Sequence, residues 1–250
     1  MSRIALARLL LLLCCMPARA APAQPLELVT LQYPPYQYQD NATVKGFVVE
    51  IVQEVFRRLK LPVNISVYPW GRSIAMVAEG HADAIFTLYR TPEREALLDY
   101  SHEVLAQQAV SLFVRKDSPI RFSGRLQELA AYRFGVVRTV SYGAVFDNAV
   151  KNGQIAIAEV AASGEQNVDK LLAHRFDILV SNQMGARDIL KRHHVESQVR
   201  ELLPALEQIP SYIAFSRKRN LGDLRARFDA ELAAMKKDGS YQRILNGAHP

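Results

Sequence analysis

Between Asp83 and Ser101 the sequence DAIFTLYRTPEREALLDYS sets two arginines, Arg90 and Arg94, and two hydroxyl groups, Thr87 and Tyr89, just past a short apolar run. A guanidinium grips a carboxylate through two parallel hydrogen bonds, so the stretch offers carboxylate capture, with Arg94 as the anchor. Ala84, Ile85, Phe86 and Leu88 suit a strand buried on both faces, and Thr91-Pro92 ends it. Ligands in open α/β sheets collect beyond the carboxyl ends of strands. The same residues also suit a solvated turn in which Arg94 pairs with Glu93, Glu95 or Asp99. Other chemistries find weaker support. His193-His194 are adjacent on a polar segment and suit solvent better than a metal, and Ser101-His102 lack the turn signature of a nucleophile.

The flanking elements must place these groups. Leu26 to Gln32 alternates like a strand and runs into Tyr33-Pro34-Pro35-Tyr36, which sets two aromatic faces at its carboxyl end for packing or for a ligand. A polar loop, 40–45, leads to a helix from Gly46 to Leu59 with Val48, Ile51, Val52, Val55 and Leu59 on one stripe and Glu50 pointing away. Val63 to Tyr68 is a second strand, and Pro69-Trp70 starts a helix with Trp70, Ile74, Val77 and Ala78 on one face, closed by Gly80. Arg72 lies off that stripe, open to solvent or to a ligand. The order strand, helix, strand, helix, strand predicts a parallel sheet with right-handed crossovers.

From Tyr100 an extended run leads to a polar turn at Lys116-Asp117-Ser118-Pro119, and a second α/β unit follows. It has a short helix at 126–131, strands at 133–137, 154–160 and 177–181, and helices ending near Val150, around Val168-Leu172 and at 184–191. Strand Ile209 to Phe215 is read as the return crossing. The tail is an amphipathic helix with Leu224, Phe228, Leu232 and Met235 on one stripe, then a short helix at 241–245. Two lobes result, 25–113 with 213–250 and 114–212, and hinged α/β lobes bind small solutes between them.

Residues 1–20 have the basic, apolar and small-residue parts of a secretory signal peptide. Both cysteines, Cys14 and Cys15, lie in it, so the remaining chain faces an oxidising compartment without disulfides. The signal holds three of the 31 Lys+Arg and none of the 25 Asp+Glu, which leaves an excess of three positive charges. That balance, without a basic run, argues against nucleic acid.

Ordered landmarks then carry a resemblance: Tyr33-Pro34-Pro35-Tyr36, Gly46-Phe47-Val48-Val49-Glu50, Gly80-His81-Ala82-Asp83, Thr91-Pro92-Glu93-Arg94, Asp99-Tyr100-Ser101, Phe134-Gly135-Val136-Val137, Arg175-Phe176-Asp177 and Lys237-Asp238-Gly239-Ser240-Tyr241. Together they resemble bacterial periplasmic solute-binding proteins of ABC importers, family 3, in a divergent subgroup marked by Pro69-Trp70-Gly71-Arg72 and Val137 to Gly143. The resemblance implies a two-lobed type II periplasmic-binding fold, each lobe a small, mostly parallel sheet flanked by helices, joined by two extended hinge segments. It implies a monomeric, non-enzymatic periplasmic receptor without a cofactor that delivers a small solute to an ABC permease in the inner membrane. Sensing for a receptor or kinase, and a dehydratase or lyase using Glu50, Glu103 or Glu165, are the alternatives.

In amino-acid-binding members the arginine matching Arg94 holds the ligand carboxylate, helped by Thr87 and by backbone groups at Val140-Ser141, while the residue matching Tyr33 packs on the ligand. Tyr36 and Trp70 are expected to cover its apolar part, and Arg72 completes the candidate set. Two departures stand out. Asn182 takes the place of the aspartate that meets the ligand's ammonium, and Tyr89 takes the place of a small residue. Glu50, Glu165 and Asp188 are the acids that could replace the missing charge.

Overall fold

A computed structural model describes residues 24–247, so the expected signal peptide lies outside the described residues. Leu26–Thr30 (β1) lies between two parallel partners, Val63–Val67 (β4) and Ala84–Leu88 (β5), as the strand and helix alternation requires. The crossovers are Phe47–Arg58 (α1) and Trp70–Glu79 (α2), which cover opposite faces of this sheet. Alternation along the strands divides the burial: Leu28 and Phe86 pack with α1, Val29 and Ile85 with α2. Gly80 ends α2 in the left-handed conformation that only glycine enters without strain, at φ +85°.

Arg133–Val137 (β8) repeats the plan, with Ala156–Ala161 (β9) and Ile178–Asn182 (β10) as parallel partners. Ala144–Lys151 (α4), Gly164–Leu172 (α5) and Gln183–Arg192 (α6) pack around it. Ala106–Arg115 (β7) adds antiparallel to β10, and Val199–Ser216 (β11) adds antiparallel to β7. The pairing of β11 then changes sheets. Val199 to Ser211 bond to β7, whereas Tyr212 to Ser216 bond to β5 and to Leu98–Tyr100 (β6). The strand order is β4-β1-β5-β11-β7-β10-β8-β9, a mixed sheet that runs through both halves. Residues 106–113, assigned above to the first lobe, thus bond with strands of the second. The division that these pairings favour sets the crossings at 101–105 and near 212.

Three elements differ from expectation. The loop 40–45 is a hairpin, Tyr38–Asp40 (β2) with Thr43–Lys45 (β3), turned at Asn41 with φ +54°. The turn after Thr91 is a helix, Pro92–Leu97 (α3), whose first backbone N–H groups are met by the Thr91 hydroxyl, which accepts from Arg94 N–H at 3.3 Å. β11 begins at Val199, although only Ile209 to Phe215 was expected. Pro204 reads as a breaker, but it sits where the register with β7 shifts between Leu202 and Glu207, a place that needs no ladder donor.

The tail, Gly222–Lys237 (α7) and Ser240–Gly247 (α8), packs on α1, with Phe228 and Phe56 ring centroids 5.6 Å apart. Arg58 of α1, held by Glu54 of the same helix at 2.8 Å, ties it down through Glu231 and Asp238 at 3.3 and 2.7 Å. In the second half the closest packing is at Gly135 of β8, where a Cβ would run into the fully buried Phe176 ring. Gly135→Ala is expected to cost about 1–3 kcal/mol of stability, the usual range for overpacking. Phe176→Leu in the same chain should recover part of that loss. Urea unfolding of the two variants checks it, and equal stability of Gly135→Ala and wild type would show that the ring has room to move.

Candidate functional site

Strand β5 pairs with β11 through Leu88 to Tyr212 and Phe86 to Ile213, which leaves Thr87 as an extra residue in the ladder. Thr87 takes φ +71° there. Such a bulge re-aims a side chain, and Thr87 becomes a buried hydroxyl, donating to Gln37 Oε1 at 2.9 Å, beside a cavity between the two halves. Leu31, Tyr33, Trp70, Thr87, Tyr89 and Arg94 line the cavity from one side. Gln108, Val110, Val140, Ser141, Tyr142 and Asn182 line it from the other. Its volume is about 40 Å³, room for a few water molecules, so a larger solute enters only when the two sides part.

Arg94 sits in the first turn of α3. Its guanidinium donates to the Tyr89 and Thr139 carbonyls at 3.3 and 3.4 Å, both long, and lies 5.7 Å from the Trp70 ring centre. Thr139 belongs to the second half, so this side chain reaches across the cleft. Of the acids offered as its surface partners, Glu95 pairs with Arg90 at 3.0 Å and Asp99 with Arg225 at 3.0 Å, while Glu93 forms no ion pair among the described residues. Arg94 forms no ion pair among the described residues, and loss of water holds its pKa below the ordinary arginine value. Arg90, by contrast, is committed to Glu95, to the Ser101 carbonyl at 2.7 Å and to the Tyr212 ring at 4.5 Å.

Asn182 ends β10 and caps α6, its Oδ1 accepting from Gly185 N–H at 2.9 Å. Its Nδ2 donates to the Tyr36 hydroxyl at 3.1 Å and to Gln108 Oε1 at 3.0 Å, and Gln108 Oε1 also accepts from the Tyr89 hydroxyl at 3.1 Å. This buried amide therefore joins the two halves. Tyr36 stands behind the lining, stacked 5.4 Å from Tyr33, and burial pushes its pKa up to about 12. Tyr89 is raised further by the same cause, so both phenols keep their protons. Val140 and Ser141 lie in the turn after β8, and the Ser141 hydroxyl is held by Asp147.

Of the residues singled out from sequence, Arg94, Thr87, Tyr89, Tyr33, Trp70, Val140, Ser141 and Asn182 come together at the cavity, with Tyr36 one layer behind. Two do not. Glu50 is exposed on the outer side of α1, and Arg72 is exposed with its guanidinium 4.6 Å from the Tyr68 ring centre. Glu165 and Asp188 both pair with Arg192, at 3.0 and 2.7 Å. The lining holds one cation and no carboxylate. Gln108 was missed, although a signal existed: Ala106, Gln108, Val110 and Leu112 share one side of β7, so a polar residue stands in an otherwise apolar, inward-facing register. Among the described residues no group of His, Cys, Asp and Glu could hold a metal ion, and no helix is long and apolar enough to cross a membrane.

The family model for bacterial extracellular solute-binding proteins, family 3, matches residues 28–247. The chain belongs to that family. Among curated proteins it is 21% identical over 214 residues to the L-cystine-binding protein TcyA of Bacillus subtilis (strain 168), covering 85% of this chain and 76% of that protein. Among solved structures, a histidine kinase sensor domain similar to periplasmic binding proteins superposes with a TM-score of 0.79 at 17% identity, covering 91% of this chain and 97% of the domain. The arginine-, lysine-, histidine-binding protein ArtJ from Geobacillus stearothermophilus gives 0.75 at 16%, covering 90% and 95%. At these identities the structures establish the fold, a type II periplasmic binding fold of the family.

The site generates a contrast in stability. Asn182→Ala removes a helix cap and leaves buried groups of Tyr36 and Gln108 without a partner, and is expected to cost about 2 kcal/mol or more in the ligand-free protein. Arg94→Met removes a partly desolvated cation with no counterion and should leave the ligand-free Tm at or above that of wild type. Thermal melts of both variants decide it; a lower Tm for Arg94→Met would mean that its two long carbonyl contacts hold the fold together.

Proposed function

We propose that this protein is a periplasmic receptor, exported by its first 20 residues and acting as a monomer, that captures a small carboxylate-bearing solute between its lobes. The observation that carries the reading is the unpaired Arg94 guanidinium at a cavity without an acid. A ligand carboxylate would take the bidentate position on Arg94 in place of its long carbonyl contacts, with the Thr87 hydroxyl and the Val140-Ser141 backbone beside it. Tyr33 and Trp70 would cover the apolar part of the solute. Closure on the ligand shifts the population toward a form that brings both lobes into one surface.

Delivery of the solute to an ABC permease is the reading that the family and the cystine-binding relative support. The kinase sensor neighbour favours a second one, in which the closed form signals to a receptor or kinase. Retention of the protein on membranes that contain its permease, and only when ligand is present, supports delivery. An enzymatic role draws no support from the acids that a dehydratase would use. Glu50 is on an outer surface, Glu103 pairs with Lys236 at 2.7 Å, and Glu165 pairs with Arg192.

An α-amino acid held as the family resemblance implies would bring an ammonium to Asn182, whose amide oxygen already caps α6. A charge stripped of water without an opposite charge is costly. The expected ligand is therefore a carboxylate with an uncharged second end. After the solute released from natively purified protein is identified by mass spectrometry, calorimetry on Arg94 variants tests the clamp. Arg94→Ala should weaken binding by about 2–5 kcal/mol, and Arg94→Lys should not restore it, because the planar fork is lost. A loss below about 1 kcal/mol would identify Arg94 as an ordinary exposed charge. A thermal-shift panel of the standard amino acids on wild type and Asn182→Asp provides the second check: micromolar binding of an unmodified amino acid to wild type would sink the uncharged-end expectation.

A further inference from the structure

Gln108 lines the cavity with 1% of its surface exposed, and its Nε2 has no hydrogen-bond partner among the described residues. The orientation of its amide is fixed by a chain of donors. Gly185 N–H can only donate, so Asn182 turns Oδ1 to it and Nδ2 toward Gln108. Gln108 must answer with Oε1, which also receives the Tyr89 hydroxyl. Turning the Gln108 amide over would set two N–H groups against each other. Both lone pairs of Oε1 are then in use, and the two N–H bonds of Nε2 remain to be given. Tyr142, on the same side of the cavity, receives Val137 N–H at 2.7 Å and keeps its own proton to give, since burial raises its pKa.

We infer that Gln108 is a specificity-determining residue that reads an uncharged oxygen acceptor on the ligand, beside the carboxylate where an amino acid carries its ammonium, so that the solute is a small monocarboxylate bearing a carbonyl oxygen, as in an oxo acid or an N-acyl amino acid. This rests on Arg94 holding the carboxylate and adds what the group beside it must be. A buried N–H that stays unpaired is costly, and a carbonyl oxygen satisfies it without bringing charge. An ammonium would face an N–H donor and no acid. A second carboxylate would be a buried anion with no second cation, because Arg94 is the only charged residue in the lining.

Two matched sets of acids test it by calorimetry at neutral pH: pyruvate, alanine and propionate, and ketoleucine, leucine and isocaproate with N-acetylleucine. Within a set the carbonyl-bearing acid should bind about tenfold more tightly than the unsubstituted acid, the worth of one neutral hydrogen bond, and the amino acid should bind most weakly. Gln108→Met, which keeps length but has no N–H, should bring the carbonyl-bearing and unsubstituted acids of a set to equal affinity. Gln108→Glu should reverse the preference toward the amino acid. Thermal melts show whether each variant folds, and the wild-type ranking decides the matter if neither does. Equal binding of carbonyl-bearing and unsubstituted acids, with affinity still lost in Arg94→Ala, overturns the role of Gln108 and leaves the carboxylate clamp standing. Binding of none of these acids overturns both.

Discussion

A cation taken out of water needs an anion, and Arg94 has none among the described residues. Much of the local structure follows from holding it there. Thr91 caps α3 so that a helix of only six residues can present its first turn, and Pro92 fixes the entry. The bulge at Thr87 ends the strand with a twist that brings Tyr89 under the guanidinium and offers its carbonyl as a poor substitute for a carboxylate. Glu95 and Asp99 are drawn off by Arg90 and Arg225. A desolvated cation without a counterion is an arrangement that costs stability, as is common at functional sites.

The opposite wall obeys a different constraint, that buried neutral polar groups be satisfied. Asn182, Gln108, Tyr89 and Tyr36 form one network across the cleft, and nearly every group in it has a partner. Each such bond contributes only about 1 kcal/mol net, so closure over this network is shallow and solvent can replace it when the lobes part. A charged pair in the same place would make opening costlier, since separating buried ions leaves each without compensation. Under the proposed function, such a neutral wall suits a receptor that has to reopen and let its solute go. The apolar clusters fall largely on one side or the other of the crossings at 101–105 and near 212, with Tyr89 packed among second-half residues and Met184 against the first-half cluster as exceptions.

Much of this was legible in the sequence because local and global signals agree. The helix stripe of α1, the strand at 84–88 and the order of elements each follow from periodicity, and Arg94 stands out because an arginine just past an apolar strand is an unusual expense of desolvation. What was hidden depends on pairing. Pro204 looked like the end of a strand until its place in a register shift showed that no donor was required. α3 is too short for a helical period to show. Gln108 reads as one polar residue in an extended run, and its meaning appears only when β10 sets Asn182 against it. Arg72 and Glu50 have suitable chemistry but point away, a matter of helix phase within one turn.

The two halves share a plan, and their differences divide the work of recognition. In each, a central strand is flanked by two parallel neighbours whose carboxyl ends face the cleft, so the fold supplies two similar rims and the side chains make them unlike. The first rim contributes charge and aromatic faces through Arg94, Trp70 and Tyr33. The second contributes hydrogen-bonding groups that carry no charge, through Gln108, Ser141, Tyr142 and Asn182. Because electrostatic attraction acts at longer range than a hydrogen bond, under the proposed function the first rim holds a carboxylate before the lobes close, and the second tests the rest of the molecule only afterwards. On that proposal, capture and discrimination are thereby separated in space and in order, and Asn182, which carries no charge, bears on the second step alone.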